Sequence, residues 1–286
     1  MEHFRIGLDV PQVARVVVPK PTERRSRLDP MVIPPAFEAA LMSAHERILL
    51  LDYDVIVGPQ ARDQVKAFPY QGVPQVLERI MRSCGTRLSL ISGRGAHDVR
   101  RLLGTSLNPE IWGSHGLERL HPDGRGEMLE VQGVVLKSIE RVAEELDSIG
   151  LAPMTENKPG AVAVHWRHLP SNKLEEVKEL AYRIMSPATR NPSLKLDLFD
   201  GGLELRVRGC NKGDAVRTIL SENAAQVPVA YLGSDVTDED AFRALSGRGL
   251  SVLVSPRYRF SAAQIWLKPP DDLIRFFADW MAACET

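Results

Sequence analysis

Apolar positions along this chain follow two rhythms. Short unbroken runs, "RILLLDYDVIV" (47–57), "TRLSLISG" (86–93), "VPVAYLGSD" (227–235) and "LSVLVS" (250–255), have the length of strands buried on both faces. Between them apolar residues recur three and four apart in "AFEAALMSAHE", "VPQVLERIMRSC", "AHDVRRLLG", "NKGDAVRTILSEN", "TDEDAFRAL" and "DDLIRFFADWMAA". That spacing predicts amphipathic helices, the third of them closed by Gly104. Strands alternating with helices of this size predict a parallel sheet joined by right-handed crossovers.

The rhythm changes between residues 119 and 207. "VQGVVLKSIERVAEELDSIG" and "SNKLEEVKELAYRIM" read as helices, "GAVAVHWRH" alternates like a half-exposed strand, and "LKLDLFDGGLELRVR" reads as a hairpin turning at Asp200-Gly201-Gly202. Such a mixture predicts an α+β insert. Residues 1–35 carry prolines and a basic run, "VVVPKPTERRSRLDP", without a sustained period, and read as an extended arm with the folded unit starting near Pro35. The expected organisation is therefore an arm (1–35), an α/β parallel-sheet core made of 36–118 and 208–286, and an α+β insert (119–207).

Composition narrows the function classes. Lys and Arg total 36 against 37 Asp and Glu, a net charge of -1, so no chain-wide charge draws it to nucleic acid or an anionic membrane. Cys84, Cys210 and Cys284 are odd in number and scattered, which suits a reducing compartment rather than a disulfide framework. No run of about 18 apolar residues is present, so a cytoplasmic, non-membrane protein is expected.

In an open parallel sheet, ligands bind beyond the carboxyl ends of the strands. Polar residues stand at those ends: Asp52 and Asp54 after the first strand, Ser92 and Gly93 after the second, Lys212 opening the helix after the insert, and Asp235 with Asp238 after the third buried strand. Carboxylates, a hydroxyl and an ammonium in that order suit a divalent cation beside a phosphate. Taken singly, each residue is more often a turn or cap residue, or a solvated lysine.

The ordered set Asp-x-Asp, Ser-Gly-Arg, Asn-Lys-Gly and "YLGSDVTDEDAF", with "IWGSHGLE", "KPGAVAVHWRH" and "GLELRVRGCNKGDAV", resembles the haloacid dehalogenase superfamily and, within it, the trehalose-6-phosphate phosphatases. The resemblance spans about residues 37–286. It implies a Rossmann-like core with an inserted cap, and phosphoryl transfer through an aspartyl-phosphate. Asp52 would be the nucleophile and Asp54 the acid and base. Ser92, Gly93 and Lys212 would hold the phosphoryl group, and Mg2+ would sit on Asp52, Asp54 and an acid of the last motif, Asp235 or Asp238. Glu118, Lys158, Arg167 and Glu204 would recognise sugar hydroxyls from the cap. Of Trp166 and Arg167, neighbours on one strand, at least one is expected to pack inward.

Three residues depart from the family pattern. Val55 and Ile56 replace the Gly-Thr that follows Asp-x-Asp, adding bulk and removing a hydroxyl. Ser234 stands where an aspartate metal ligand is expected, and a neutral hydroxyl is a poor magnesium ligand. Three readings follow: an active magnesium-dependent trehalose-6-phosphate phosphatase; an impaired relative that binds a sugar phosphate or a trehalose-synthesis enzyme, such as trehalose-phosphate synthase, as sensor or scaffold; and a phosphatase of a related glycosyl phosphate.

Overall fold

Strand β1 (Arg47–Asp52) is buried along its whole length, and its side chains alternate between two apolar layers. Leu49 and Leu51 point into a cluster with Leu77, Ile80, Phe276, Phe277 and Trp280, while Ile48 and Leu50 join Val216, Ile219 and Phe242 on the opposite face. This is why the sequence shows a continuous apolar run and no alternation. The computed structural model describes residues 33–57, 68–104, 108–167, 169–199 and 201–285. The first 32 residues of the predicted arm, and Asp200 of the predicted hairpin turn, lie outside them.

Helix α1 (Pro35–Ser43) precedes β1. A 3-10 turn, Tyr53–Ile56, follows it, and then come α2 (Val73–Ser83), β2 (Thr86–Ile91), α3 (Ala96–Leu103) and β3 (Glu110–Gly113). A second 3-10 turn, Ser114–Gly116, leads to β4 (Glu118–Leu120) and β5 (Gly126–Met128). The middle of the chain holds α4 (Gly133–Ser148), β6 (Thr155–Lys158), β7 (Ala161–His165), α5 (Ser171–Met185), β8 (Leu194–Phe199) and β9 (Gly202–Val207). It returns through α6 (Lys212–Ser221), β10 (Val229–Gly233), α7 (Glu239–Ala244), β11 (Leu250–Val254), β12 (Ile265–Leu267) and α8 (Asp271–Cys284).

The core sheet has the order β12-β11-β10-β1-β2-β3-β4-β5. It is parallel from β12 to β3 and antiparallel at its β4-β5 edge. The Rossmann-like core with an α+β cap is thus the architecture found. The edge hairpin carries the core sheet to Met128, beyond residue 118 where the change of rhythm put the boundary. Strand β5 is short and fully exposed, and so leaves no periodic signal.

The cap sheet, β6-β7-β9-β8, lays one face on α4 and α5 through Val162, Val164, Leu203 and Leu205. Its second face is not open to solvent as the alternation of "GAVAVHWRH" predicts: Ala161 and Ala163 are buried, as are Glu204 and Arg206 paired beside them. The reason is contact with the core. A Cβ on Gly160, which has φ +68°, would stand 2.4 Å from Leu117 Cδ2, so the cap meets the core at a position only glycine fits.

Candidate active site

Strand register brings the polar ends together. Asp52 of β1 pairs with Ile91 of β2, and Leu51 with Leu232 of β10, so Ser92 and Ser234 flank Asp52 at the carboxyl edge of the sheet. Asp52 is 1% exposed. Its Oδ1 lies 2.9 Å from Lys212 Nζ, and its Oδ2 accepts a hydrogen bond from Ser234 Oγ at 3.1 Å. Lys212 reaches the site because the Asn211–Asp214 capping box starts α6 immediately before it.

The same ammonium also pairs with Asp238 Oδ1 at 2.8 Å. Asp238 is saturated. Oδ1 accepts in addition from the Tyr231 hydroxyl at 2.5 Å, and Oδ2 accepts from the backbone N–H groups of Ser234 and Asp235 at 2.8 and 2.9 Å. Asp238 therefore fixes Lys212 and the loop after β10, a role the sequence reading, which made it a metal ligand, did not foresee. One cation serves two buried carboxylates. Burial, and then the negative charge of Asp238, raise the Asp52 carboxyl above its ordinary range against the pull of Lys212. Burial also acts on Asp238, but Lys212 and the hydrogen bonds outweigh it and hold that carboxyl low.

Asp54, the second residue of the 3-10 turn, has a half-exposed side chain and pairs with Arg94 at 3.4 Å. Val55 and Ile56 are 3% and 0% exposed and belong to the core cluster around Leu51 and Tyr53. Their bulk goes into the core, with no left-handed backbone at either residue, so of the expected losses only the missing hydroxyl remains at the site. Ser92 is fully buried, and its Oγ accepts from the Arg94 backbone N–H at 3.1 Å. Gly93 is needed for close approach, because a Cβ there would stand 2.8 Å from the His115 ring.

His115 was not singled out in the sequence. Ser114 and His115 both have left-handed backbones, φ 48° and 59°, a conformation that costs a non-glycine residue about 1–3 kcal/mol. It is held by hydrogen bonds from Ser114 N to Arg94 O and from His115 N to Ser92 O, 2.8 and 2.9 Å. The distortion places His115 Nε2 2.9 Å from Glu204 Oε2, and Glu204 Oε1 is 2.5 Å from Lys158 Nζ. Glu156 extends this cluster to His165 at 2.9 Å. Burial alone would raise the Glu204 carboxyl, but the Lys158 ammonium and then His115 more than offset it, and the group stays well below the carboxylate range. Lys158 and Glu204 thus sit together where cap meets core. The only earlier signal for His115 was the "IWGSHGLE" segment.

The other two residues expected to contact sugar are placed differently. Glu118 lies in the core strand β4, not in the cap. Its Oε2 accepts from Ala96 N at 3.1 Å and from Ser114 Oγ at 2.8 Å, capping α3, whose N-cap position is Gly95 and has no side chain to offer. Arg167 is exposed and lies over Gly201, where a Cβ would come within 2.9 Å of its Nε. Its neighbour Trp166 is the one that packs inward, into the cap core.

The donor set does not fit a magnesium ion, which takes six oxygens in near-octahedral geometry. Among the described residues no group of three or more His, Cys, Asp or Glu side chains is placed to hold a metal. Asp235 turns Oδ1 back on the Val236 N–H at 2.6 Å, and the available oxygen at position 234 belongs to a neutral hydroxyl. No helix among the described residues is long and apolar enough to cross a membrane. Cys84 and Cys284 approach one another, and burial, then the hydrogen bond with Cys284, push the Cys84 thiol up to about 12.

A family model described as trehalose-phosphatase matches residues 50–261. The trehalose-phosphate phosphatase of Mycobacterium marinum is 29% identical over 241 residues, covering 80% of this chain and 60% of that protein. That of Mycobacterium avium is 30% identical over 220 residues, 72% of this chain and 54% of that protein. The chain thus spans 60% or less of the length of these relatives. Among solved structures, the C-terminal domain of Candida albicans trehalose-6-phosphate phosphatase superposes with a TM-score of 0.72 at 17% identity, covering 91% of this chain and 99% of that one. The C-terminal domain of a Candida albicans trehalose synthase regulatory protein gives 0.66 at 13%, covering 89% and 99%. At these identities the superpositions bear on the fold.

Proposed function

The chain belongs to the trehalose-phosphatase family, and from that premise we propose that it hydrolyses a sugar phosphate, with trehalose 6-phosphate as substrate, through an aspartyl-phosphate on Asp52. The supporting observation is the placing of Asp52, buried at the carboxyl end of the central strand between Lys212 and Ser234. Lys212 beside Asp52 and Arg94 beside Asp54 supply the positive charge that a phosphate dianion meets.

In the first step the Asp52 carboxylate attacks phosphorus and the bond from phosphorus to the sugar oxygen breaks. The leaving oxygen takes a proton from Asp54, which stands two residues on at the mouth of the site. In the second step water attacks the same phosphorus, Asp54 takes its proton, and the acyl-phosphate bond breaks to release phosphate and restore Asp52. Ser92 holds the loop carrying Arg94, and Lys212 keeps its charge because two carboxylates surround it. The Lys158–Glu204–His115 cluster presents fixed polar groups where the cap faces the core, suited to sugar hydroxyls.

A trehalose-phosphate synthase would supply this substrate. The test is phosphate release from trehalose 6-phosphate by the purified chain and by Asp52→Asn. Release that the substitution abolishes supports the reading, and release that it leaves intact places the chemistry elsewhere.

A further inference from the structure

What already occupies the carboxylates around Asp52 decides what else the site accepts. Asp52 Oδ1 faces the Lys212 ammonium at 2.9 Å, and Oδ2 accepts from the Ser234 hydroxyl at 3.1 Å. Both Asp238 oxygens carry two donors each. Asp235 is folded onto its own loop, and Asp54 is paired with Arg94. A divalent ion on Oδ1 would lie against an ammonium, and one on Oδ2 would displace a hydrogen bond and gain only a neutral oxygen.

The charge count agrees. Asp52 and Asp238 bring two negative charges and Lys212 one positive, which leaves one negative charge in the buried pocket. A carboxylate at position 234 would add a second, close enough to Asp52 Oδ2 that the pair could ionise together only around a cation. Serine removes that demand and closes the gap with a hydrogen bond.

We propose that the Asp52 site of this chain works without a divalent cation, Lys212 and the Ser234 hydroxyl answering the carboxylate's two oxygens, and that Ser234 is the residue that decides this. The proposal rests on Asp52 as the phosphoryl site, and its consequence is that a phosphate dianion is met by Lys212 and Arg94 rather than by a metal. It also makes Ser234→Asp a gain of metal binding.

The experiment titrates Mn2+ into wild type, Asp52→Asn and Ser234→Asp, reading free Mn2+ by its paramagnetic resonance signal, and compares melting temperatures in EDTA and in millimolar Mg2+. Wild type is expected to show no saturable Mn2+ site and the same melting temperature in both solutions. Ser234→Asp is expected to melt lower in EDTA, to recover in Mg2+, and to bind one Mn2+ per chain. A wild-type Mn2+ site that Asp52→Asn removes would overturn the proposal. A Ser234→Asp protein that folds but gains no site would overturn the role given to Ser234. Failure of trehalose 6-phosphate to raise the wild-type melting temperature in EDTA would count against the phosphatase reading and leave the metal result standing.

Discussion

Replacing Lys212 with methionine isolates the interaction that organises the site. The ammonium is buried between Asp52 and Asp238 at 2.9 and 2.8 Å, and methionine retains the apolar stem while removing the charge. Breaking a buried ion pair from one side costs about 3–5 kcal/mol, because the partner remains buried without compensation. Asp238 keeps its Tyr231 and backbone donors, which puts the expected loss at the lower end of that range. At about 2–4 °C per kcal/mol for a chain of this size, the melting temperature should fall by roughly 6–12 °C.

The pH dependence has a definite sign. Without Lys212, the Asp52 carboxyl, already above its ordinary value of 3.8, rises further, and Asp238 loses the ammonium that helps hold it low. A carboxyl whose folded pKa is raised destabilises the protein when ionised and ceases to do so as pH falls through that pKa. The gap between wild type and Lys212→Met should therefore be wide at about pH 8 and narrower at about pH 5. Scanning calorimetry of both proteins, with Lys212→Met/Asp52→Asn as the variant that recovers part of the loss, measures this. A Lys212→Met protein melting within about 2 °C of wild type at every pH would refute the shared-cation argument.

Three further outcomes follow from the packing. Glu118→Ala should cost about 1 kcal/mol as α3 loses its cap while leaving KM for trehalose 6-phosphate unchanged; a several-fold rise in KM would return Glu118 to the sugar site. Trp166→Ala should destabilise the cap by about 3–5 kcal/mol in urea titration, and a loss under 1 kcal/mol would contradict its place in the cap core. The depressed Glu204 pKa makes that carboxylate a source of stability present above its ordinary value of 4.5 and lost as pH falls through the folded value. The stability difference between wild type and Glu204→Gln should thus be level near neutrality and shrink only below about pH 4.5; a difference that grows on acidification would reverse the assignment.

The core was legible where burial imposes a pattern. Strand β1 reads as a strand because both faces are covered, and Asp52 stands at its carboxyl end, where the apolar run stops. Element order also separated cap from core, since the cap's helices and hairpin break the alternation. The edge hairpin was not legible: all three residues of β5 are exposed, and so no periodicity marks it. Nor was the second face of the cap sheet, because burial of Ala161 and Ala163 depends on a docking partner far away in sequence. At the site, residue types at strand ends named Asp52, Ser92 and Lys212 correctly as neighbours. What pattern could not give is how each carboxylate is used. Asp238 looks like a ligand in sequence and is a saturated anchor in space, Glu118 looks like a sugar contact and caps a helix, and His115 enters through a left-handed backbone that no propensity favours.

The claim on which the rest depends is that Asp52 accepts the phosphoryl group of a sugar phosphate. Its most direct test follows phosphate release from trehalose 6-phosphate in EDTA, for wild type and Asp52→Asn, with the trapped intermediate sought by mass spectrometry of the peptide containing residue 52. The account predicts release by wild type, none by Asp52→Asn, and a phosphate mass increment on that peptide. Release that survives Asp52→Asn, or a wild-type protein that releases no phosphate from this substrate, would contradict it.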